Sequence, residues 1–184
     1  MPEVCLDDLF RLHADQVARW ASRLCGPGVE VDDVVQEVFM IAHRKRKEFR
    51  GDSRPSTWLY GITQNVVRHR RRNERVRRFF LGEVERDTQP ARPTPVEEFE
   101  RREASRAVYR ALDALPEKYR EVFVLFEIEG LSGAEICELT GRNASTIRVH
   151  LMRAREQFFK RLGALGYDNL RGDPGVANRE GVSS

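Results

Sequence analysis

Hydrophobic residues recur at intervals of three and four along the first 80 residues, the spacing that gathers them on one face of an α-helix. Leu9, Val17 and Trp20 keep this spacing in the first stretch, which the sequence GPG at residues 26–28 ends. The pattern predicts three helices: Leu6 to Leu24, about Val31 to Phe49, and about Thr57 to Phe80 with Ser56 as its cap.

The helical pattern stops at residue 82 and resumes at residue 97. The sequence between, GEVERDTQPARPTPV, has three prolines, alternating charge and almost no apolar residues, which indicates an extended linker. Helical spacing returns from Glu97 to Leu115, and Pro116 marks the start of a further helix. Strand-like alternation does not occur in the sequence. We therefore predict an all-α fold of two small helical domains on a flexible linker: domain 1–81, linker 82–96, domain 97–162 and a disordered tail 163–184.

The stretch LSGAEICELTGRNASTIRVHLMRARE, residues 131–156, carries the signals of a sharp corner between two helices. Ser132 and Glu135 have the spacing of a capping box, which starts a short helix. Gly141 permits the left-handed turn that ends it, and Asn143 is suited to cap the next helix. Cys137 is small enough for the two helices to cross closely. These signals predict a helix-turn-helix in the C-terminal domain.

The second helix of this corner has two different faces. Its apolar face is formed by Ile147, Leu151, Ala154, Phe158 and Leu162, and its other side by Ser145, Arg148, Val149, Met152, Arg153 and Glu156. Such a helix fits the major groove of DNA, where arginine binds guanine edges and phosphates. The alternative is a solvated edge of a helical bundle. The caps, the glycine and the small residue in one register favour DNA binding.

A second basic block, GITQNVVRHRRRNERVRR, lies on the third predicted helix. The polar and basic stripe that it forms comprises Gly61, Gln64, Asn65, Arg68, Arg71, Arg72 and Arg75. Amides and arginines on one stripe suit contacts with phosphates and base edges. A charge run is most often a solvated face, but Glu74 is the one acid within this block, which favours nucleic acid. The loop from Arg50 to Ser56 is predicted to touch single-stranded DNA, whereas Phe49 and Trp58 fit an apolar core.

The exposed side of the second predicted helix carries Asp33, Gln36, Glu37, Met40 and His43. This face is either a protein-docking surface or a solvated face, and the residues alone leave both open. Asp32, Asp33 and Glu37 could also suggest a metal site. Adjacent aspartates point apart on a helix, however, and acids at a helix start stabilise its dipole, so capping is preferred.

Charge and cysteine content narrow the classes of function. The formal net charge is only +3, but the arginines are clustered, which favours binding to a phosphate backbone. The three cysteines are widely spaced and form no Cys/His cluster, so neither a disulfide framework nor a zinc site is predicted. No apolar run is long enough to span a membrane, and the amino terminus has no secretion signal. We expect a cytoplasmic protein without a cofactor, a metal ion or catalytic residues.

Two stretches resemble conserved regions of bacterial RNA polymerase sigma factors. The second conserved region of these factors is similar to the sequence DDVVQEVF followed by FRGDSRPSTWLYGITQNVVRHRRR. The fourth is similar to LDALPEKYREVFVLFEIEGLSGAEICELTGRNASTIRVHLMRARE. The resemblance runs in order from about Leu6 to Leu162 with only a linker between, as in the extracytoplasmic-function (ECF) group.

The resemblance implies a subunit that directs transcription initiation at specific promoters once bound to core RNA polymerase. The implied partners are the polymerase β′ clamp and β flap, promoter DNA and an anti-sigma factor. Positions matching the clamp-binding helix are Asp33, Gln36, Glu37 and Phe39. Residues predicted to contact DNA are Arg50, Asp52, Ser53, Asn65, Arg68, Arg71, Arg72, Ser145, Thr146, Arg148, Val149, Met152 and Arg153. In the family, the loop at Phe49 to Ser56 captures a flipped base of the −10 element, and the helix at Arg148 to Arg153 reads the −35 element.

Four positions depart from the family pattern. Gly61 stands where arginine is frequent, Arg142 replaces a usual aliphatic residue, and Val149 and His150 replace a serine and a basic residue. Two rival functions also stay open. A helix-turn-helix regulator acting without polymerase would use residues 131–156 but give the first domain no role. A metal-dependent nuclease using Asp32, Asp33 and Glu37 has no phosphate loop or nucleophile–base pair to support it.

Overall fold

The computed structural model describes residues 6–26, 29–49, 51–81 and 96–167, and the regular structure within these ranges is helical. The predicted all-α class is therefore confirmed for the described part of the chain. The predicted linker, except for Val96, and the tail beyond Tyr167 lie outside the described residues, as do Arg50 and Cys5.

The first unit contains three helices that pack against one another: α1 (Leu6–Cys25), α2 (Val31–Lys45) and α3 (Pro55–Leu81). Their shared apolar core includes Val17, Val34, Val38 and Leu59, each with no exposed surface. Trp20 and Tyr60 meet edge to face in this core, with ring centroids 5.0 Å apart. Burial of the aliphatic residues is the main contribution to the stability of this unit.

Two predicted helix boundaries in the first unit are wrong. The second helix ends at Lys45 rather than Phe49, and a single 3₁₀ turn at Arg46–Glu48 follows it. The third helix begins at Pro55, two residues before the predicted start, so Ser56 lies inside the helix and does not cap it. Proline is favoured at a first helical position because the N–H that it lacks has no helical partner there.

The second unit contains four described helices: α4 (Val96–Asp113), α5 (Glu117–Phe123), α6 (Gly133–Thr140) and α7 (Ala144–Ala164). A π-helical turn at Val124–Ile128 continues α5. Leu115, Val122, Leu125 and Ile136 are buried in the core of this unit. Pro116 directly precedes α5, which confirms the predicted helix start.

The two units lie directly against each other through α3 and α6. Among the cysteines, Cys25 is buried, and this burial raises the pKa of its thiol to about 11. Cys137 is half-buried against the core. None of the described helices combines the length and the apolar character that crossing a bilayer requires.

Candidate nucleic-acid interface

The helix-turn-helix is built as its capping residues predict. Ser132 Oγ accepts a hydrogen bond from the Glu135 amide at 3.3 Å, and the Ser132 amide donates to Glu135 Oε2 at 2.8 Å. The Ser132 hydroxyl also donates to Glu135 Oε2 at 2.7 Å, and this bond first, then the bond from the Ser132 amide, lowers the pKa of the Glu135 carboxyl. Gly141 has a φ of 69°, and Asn143 Oδ1 accepts from the Thr146 amide at 2.8 Å. The capping box, the left-handed glycine and the second cap are all confirmed.

Helix α7 has the two faces that the sequence predicts. The five residues of the predicted apolar face are buried: Ile147, Leu151, Ala154, Phe158 and Leu162. On the opposite side Arg148 and Arg153 are exposed, and between them Val149 and Met152 are 51% and 55% exposed. Large apolar side chains held in solvent between two arginines suit contact with thymine methyl groups beside guanine edges.

The start of α7 adds two shorter polar side chains to this face. Ser145 is exposed and its hydroxyl donates to Asn143 Oδ1 at 2.8 Å. Thr146 is half-buried, and its amide completes the cap of the helix. His150 lies against the ring of Tyr119, with centroids 5.4 Å apart. Burial first, and then the neighbouring Arg142 and Lys118, lower the pKa of the His150 imidazole.

The loop between α2 and α3 is open to solvent at the residues predicted to touch DNA. Asp52 and Ser53 are exposed, and Gly51 before them has a φ of 79°. Arg54 reaches the other unit, where its Nε lies 2.8 Å from Glu138 Oε1 on α6. Phe49 and Trp58 are half-buried with ring centroids 4.9 Å apart, and Trp58 packs on the core.

The α3 stripe is the set of polar and basic residues Gln64, Asn65, Arg68, Arg71, Arg72 and Arg75. Asn65, Arg72 and Arg75 are exposed, as predicted. Arg68 is about half exposed, but its Nε lies 2.7 Å from Glu117 Oε1 of the second unit. The amide of Gln64 donates to Glu121 Oε1, also of the second unit. Part of the stripe is therefore occupied by carboxylates.

The expectation that Arg71 is exposed on this stripe is wrong. Its side chain is only 9% exposed and forms an ion pair with Asp113. Its Nη1 donates to the carbonyls of Leu24 at 3.2 Å and Cys25 at 2.9 Å. The last carbonyls of a helix have no hydrogen-bond donor within that helix. Arg71 supplies the donor for two of these carbonyls at the end of α1. A helical-wheel pattern cannot show this, because the acceptors belong to another helix.

Sequence reasoning missed the acidic residues that face the α3 stripe. Asp113 ends α4, whereas Glu117 and Glu121 lie on α5, and together they pair with Arg71, Arg68 and Gln64. Their regular spacing of four residues is a signal in the sequence. Pro116 interrupts the helix between the first two, however, so helical periodicity alone would not place the three on one surface.

The predicted docking face of α2 borders an open groove between α1 and α2. Phe10 and Met40 are 50% and 55% exposed on this groove, and Phe39 forms its more deeply buried wall. The rings of Phe10 and Phe39 contact each other with centroids 4.9 Å apart. Asp33 and Gln36 are exposed, whereas Glu37 forms an ion pair with Arg70 at 2.7 Å. An apolar centre with a polar rim is typical of a protein interface.

A metal-dependent nuclease would need a cluster of side chains that can bind a metal ion. Within the described ranges, no group of three or more His, Cys, Asp or Glu residues is arranged to hold a metal ion. The structure therefore does not bring Asp32, Asp33 and Glu37 together as a ligand set.

Two family profiles match separate parts of the chain. Sigma-70 region 2 matches residues 9–77, and Sigma-70 region 4 matches residues 105–158. The first match contains α2, the loop and the α3 stripe up to Arg75. The second contains α5, the helix-turn-helix and the exposed face of α7. Both candidate DNA-contacting surfaces thus fall within matched regions.

Several curated proteins are similar to the chain over most of its length. The ECF RNA polymerase sigma factor SigE of Mycolicibacterium smegmatis is 36% identical over 82% of this chain and 59% of its own length. The ECF RNA polymerase sigma-E factor of Haemophilus influenzae is 32% identical over 74% of this chain and 76% of its own length. That of Escherichia coli K12 is 32% identical over 77% of this chain and 78% of its own length.

Two solved structures share the fold. The first is CnrH in complex with the cytosolic domain of CnrY, with a TM-score of 0.60, 25% identity and coverage of 86% of this chain and 88% of that one. The second is the sigma factor RpoE in complex with the anti-sigma factor NepR from Bartonella quintana. Its TM-score is 0.58 at 22% identity, over 85% of this chain and 96% of that one.

Proposed function

This chain belongs to the ECF sigma factors of the sigma-70 family, and from that premise we propose that it binds core RNA polymerase and directs initiation at specific promoters. The observation that carries the proposal is the presence of both family regions in order on one chain, at residues 9–77 and 105–158. A regulator that uses only its helix-turn-helix would leave the first region without a role. We assign polymerase binding and −10 recognition to residues 1–81, and −35 recognition to residues 97–162, with residues 82–96 as the linker.

We propose that the face of α2 binds the clamp of the polymerase β′ subunit. Asp33 and Gln36 offer exposed polar groups there, and the groove beside Phe39 offers an apolar surface. Glu37 contributes a carboxylate that Arg70 holds in place at 2.7 Å. The second unit would contact the β flap, while the catalysis of RNA synthesis belongs to the polymerase and not to this chain.

The −10 element would be opened by the loop before α3 together with the exposed part of the α3 stripe. Asp52 and Ser53 are exposed beside the start of α3, where an extruded base could reach them. Extrusion of a base costs a few kcal/mol, which contacts in a protein pocket can offset. Asn65, Arg68 and Arg72 would lie along the duplex and position it through phosphate and base-edge contacts.

The −35 element would be read by the exposed face of α7. Arg148, Val149, Met152 and Arg153 form its centre, and Ser145 and Thr146 lie at the end that enters the groove first. The N-terminal residues of a recognition helix are those that commonly contact base edges. We therefore assign base discrimination mainly to Arg148 and backbone contact mainly to Arg153.

An anti-sigma protein is proposed as a further partner. The solved structures that share this fold hold CnrH with the cytosolic domain of CnrY, and RpoE with the anti-sigma factor NepR. A protein that binds between the two units of the present chain could mask both DNA-contacting surfaces together.

The proposal is tested by transcription in vitro with purified core polymerase on the DNA upstream of the chain's own gene. We expect a transcript that requires both the chain and the core enzyme. A gel shift on the same DNA, with and without core, separates this function from that of a regulator acting alone. Tight, sequence-specific binding without core, combined with no transcript in its presence, would overturn the proposal.

A further inference from the structure

His150 lies on α7 at the boundary between the buried face and the exposed face of that helix. At 3.6 residues per turn, it is rotated about 60° from the exposed Arg153 and about 40° from the buried Ala154 around the helix axis. Its imidazole is half-buried against the ring of Tyr119 on α5, edge to face with centroids 5.4 Å apart. The side chain therefore borders the surface to which we assign the −35 element.

The two ring nitrogens of His150 have different surroundings. Nδ1 is buried and has no hydrogen-bond partner among the described residues. The charged imidazole carries a hydrogen on both nitrogens, so protonation places a buried N–H at Nδ1 without an acceptor, which is costly. The neutral ring with its hydrogen on Nε2 avoids this cost. Nε2 is therefore the nitrogen that can donate to a group from outside the protein.

Positive charge faces His150 from α5 and from the turn before α7. Burial is the largest cause that lowers the pKa of the imidazole below 6.5, and Arg142 and then Lys118 lower it further, whereas Glu121 opposes them. Glu121 Oε2 lies 2.6 Å from Arg142 Nη2, so this carboxylate is already engaged. On α7 itself, the exposed Arg153 lies one turn later. His150 is therefore held neutral in the free chain at neutral pH.

Lys118 extends this positive region onto the exposed surface of α5. Its ammonium lies 5.1 Å from the centroid of the Tyr119 ring, against which His150 also packs. A helix that fills the major groove lies between two sugar-phosphate backbones, so the flank of α7 is where a phosphate would pass. An anionic oxygen at this flank would reduce the repulsion between Lys118, Arg142 and a charged imidazole.

We propose that His150 is a further DNA-contacting residue, which binds a phosphate at the edge of the −35 element and takes up a proton from the solvent as it does so. This inference rests on the function proposed above and adds a dependence on pH. A phosphate beside Nε2 favours the charged imidazole, because an opposite charge within about 4–6 Å raises the pKa of a base. Since binding raises this pKa, the affinity for DNA rises as the pH falls.

The same proton has the opposite effect on the stability of the free chain. Because folding lowers the pKa of His150, the folded chain binds this proton less readily than the unfolded chain, and stability falls as the pH drops below 6.5. A bound phosphate gives the charge a partner and offsets that loss. Opposite signs for stability and DNA affinity distinguish the proposed contact from a histidine with a structural role alone.

The first test is an NMR titration of the imidazole Hε1 resonances in the full chain, with the His150 signal assigned by its loss in His150→Gln. The pKa of His150 should lie below 6.5 in the free chain. It should rise when a short duplex of mixed sequence is added to saturation at low salt. Mixed sequence is sufficient because phosphate contacts do not depend on the bases. An unchanged pKa in the saturated complex would overturn the proposal.

A second measurement compares the affinity of variants for the same duplex, labelled with fluorescein. His13→Gln is the matched control, since His13 is half-buried on α1, outside both surfaces assigned to DNA. Between about pH 8 and about pH 5.5, the gain in affinity should be about fivefold smaller for His150→Gln than for the control, since each unit by which binding raises a pKa contributes up to about tenfold. His150→Arg, charged at both pH values, should bind more tightly than the wild type at the higher pH. Equal gains for the two glutamine variants would contradict the proposal, and urea unfolding checks that each variant is folded.

Failure of this inference can be told from failure of the proposed function, because neither measurement contains polymerase or a promoter. If the wild-type chain supports core-dependent transcription but the duplex leaves the pKa of His150 unchanged, the inference alone is wrong. If the duplex raises this pKa and His150→Gln loses the gain in affinity, while core-dependent transcription is absent, the proposed function alone is wrong.

Discussion

The exposed face of α7 and the α3 stripe are both polar, arginine-bearing surfaces, but the structure presents them differently. Arg148, Val149 and Met152 on α7 are exposed. On α3, Arg68 and Gln64 are held by carboxylates of the other unit, and Arg71 is buried. The named side chains of α7 are free to meet a duplex, whereas on α3 Asn65, Arg72 and Arg75 are exposed and Arg68 must first leave its carboxylate partner.

The difference suggests a division of labour between the two surfaces. A face that reads duplex DNA can stay exposed, because base discrimination depends on matching contacts in the groove. A surface that stabilises separated strands would bind nucleic acid without much regard to sequence, since phosphate contacts carry no sequence information. The proposed roles of the two surfaces can be tested on each side.

The largest effect is expected on the α7 side, from Arg148→Ala. A bidentate contact between arginine and guanine is worth about 1–3 kcal/mol of discrimination, a factor of roughly ten to a hundred. The variant should lose preference at one or two −35 positions while keeping its affinity for core. Transcription from a library with a randomised −35 element measures this preference. An unchanged preference would show that Arg148 does not read the bases.

On the α3 side, the double variant Asn65→Ala, Arg68→Ala should impair strand opening with little loss of core affinity. Removing a phosphate contact from Arg68 should also lower the salt dependence of binding by about one unit of slope. Permanganate reactivity of unpaired thymines in the −10 element measures opening. Lys160, exposed on α7 away from this stripe, provides the control Lys160→Ala. Wild-type reactivity in the double variant would mean that the stripe is only a solvated face.

Removing the cap at the start of α7 should lower the stability of the folded chain, although the arginines on the exposed face of α7 are unchanged. Asn143→Ala removes the side-chain cap whose oxygen lies 2.8 Å from the Thr146 amide. Loss of such a cap costs about 1 kcal/mol of stability. Urea unfolding should show a lower midpoint than for Ser105→Ala, which changes an exposed serine within α4. Equal midpoints would contradict the role of this cap.

The smallest effect on discrimination is expected from Arg153→Ala. Arg153 lies later on α7 and forms an exposed ion pair with Glu156 at 3.3 Å, which contributes little to stability. Because a phosphate contact does not depend on the base sequence, removing Arg153 should weaken binding to all −35 sequences alike. Measured in the same randomised library, the variant should keep the wild-type order of preference. A changed order would assign base reading to Arg153 as well.

The two surfaces also differ in how well the sequence predicts them. The caps and buried positions of α7 were predicted correctly because each depends on residues within one or two helical turns. The state of the α3 stripe depends on contacts between distant residues: Tyr60 and Glu121 are 61 positions apart, and Arg71 and Asp113 are 42 apart. Helical periodicity contains no information about such pairs, so it predicts the wrong surface for Arg71 and does not identify Asp113, Glu117 and Glu121 as partners of α3.

Helix boundaries, like the caps of α7, are predicted from residues that are close together in the sequence. Pro116 and Gly141 mark their helix ends by local chemistry, and both predictions are confirmed. At Pro55 the same local rule was available, since proline favours the first helical position. A cap at Ser56 puts the start of α3 two residues too late, because the helix begins at Pro55.

The central claim is that this chain acts on promoters as part of an RNA polymerase holoenzyme. The most direct measurement is permanganate footprinting of the DNA upstream of its own gene, with the chain alone, core polymerase alone, and both together. We expect reactive thymines in the −10 element only when both are present, together with a transcript that begins just downstream. Reactive thymines with the chain alone, or none with both while the chain protects the same DNA unaided, would contradict the claim.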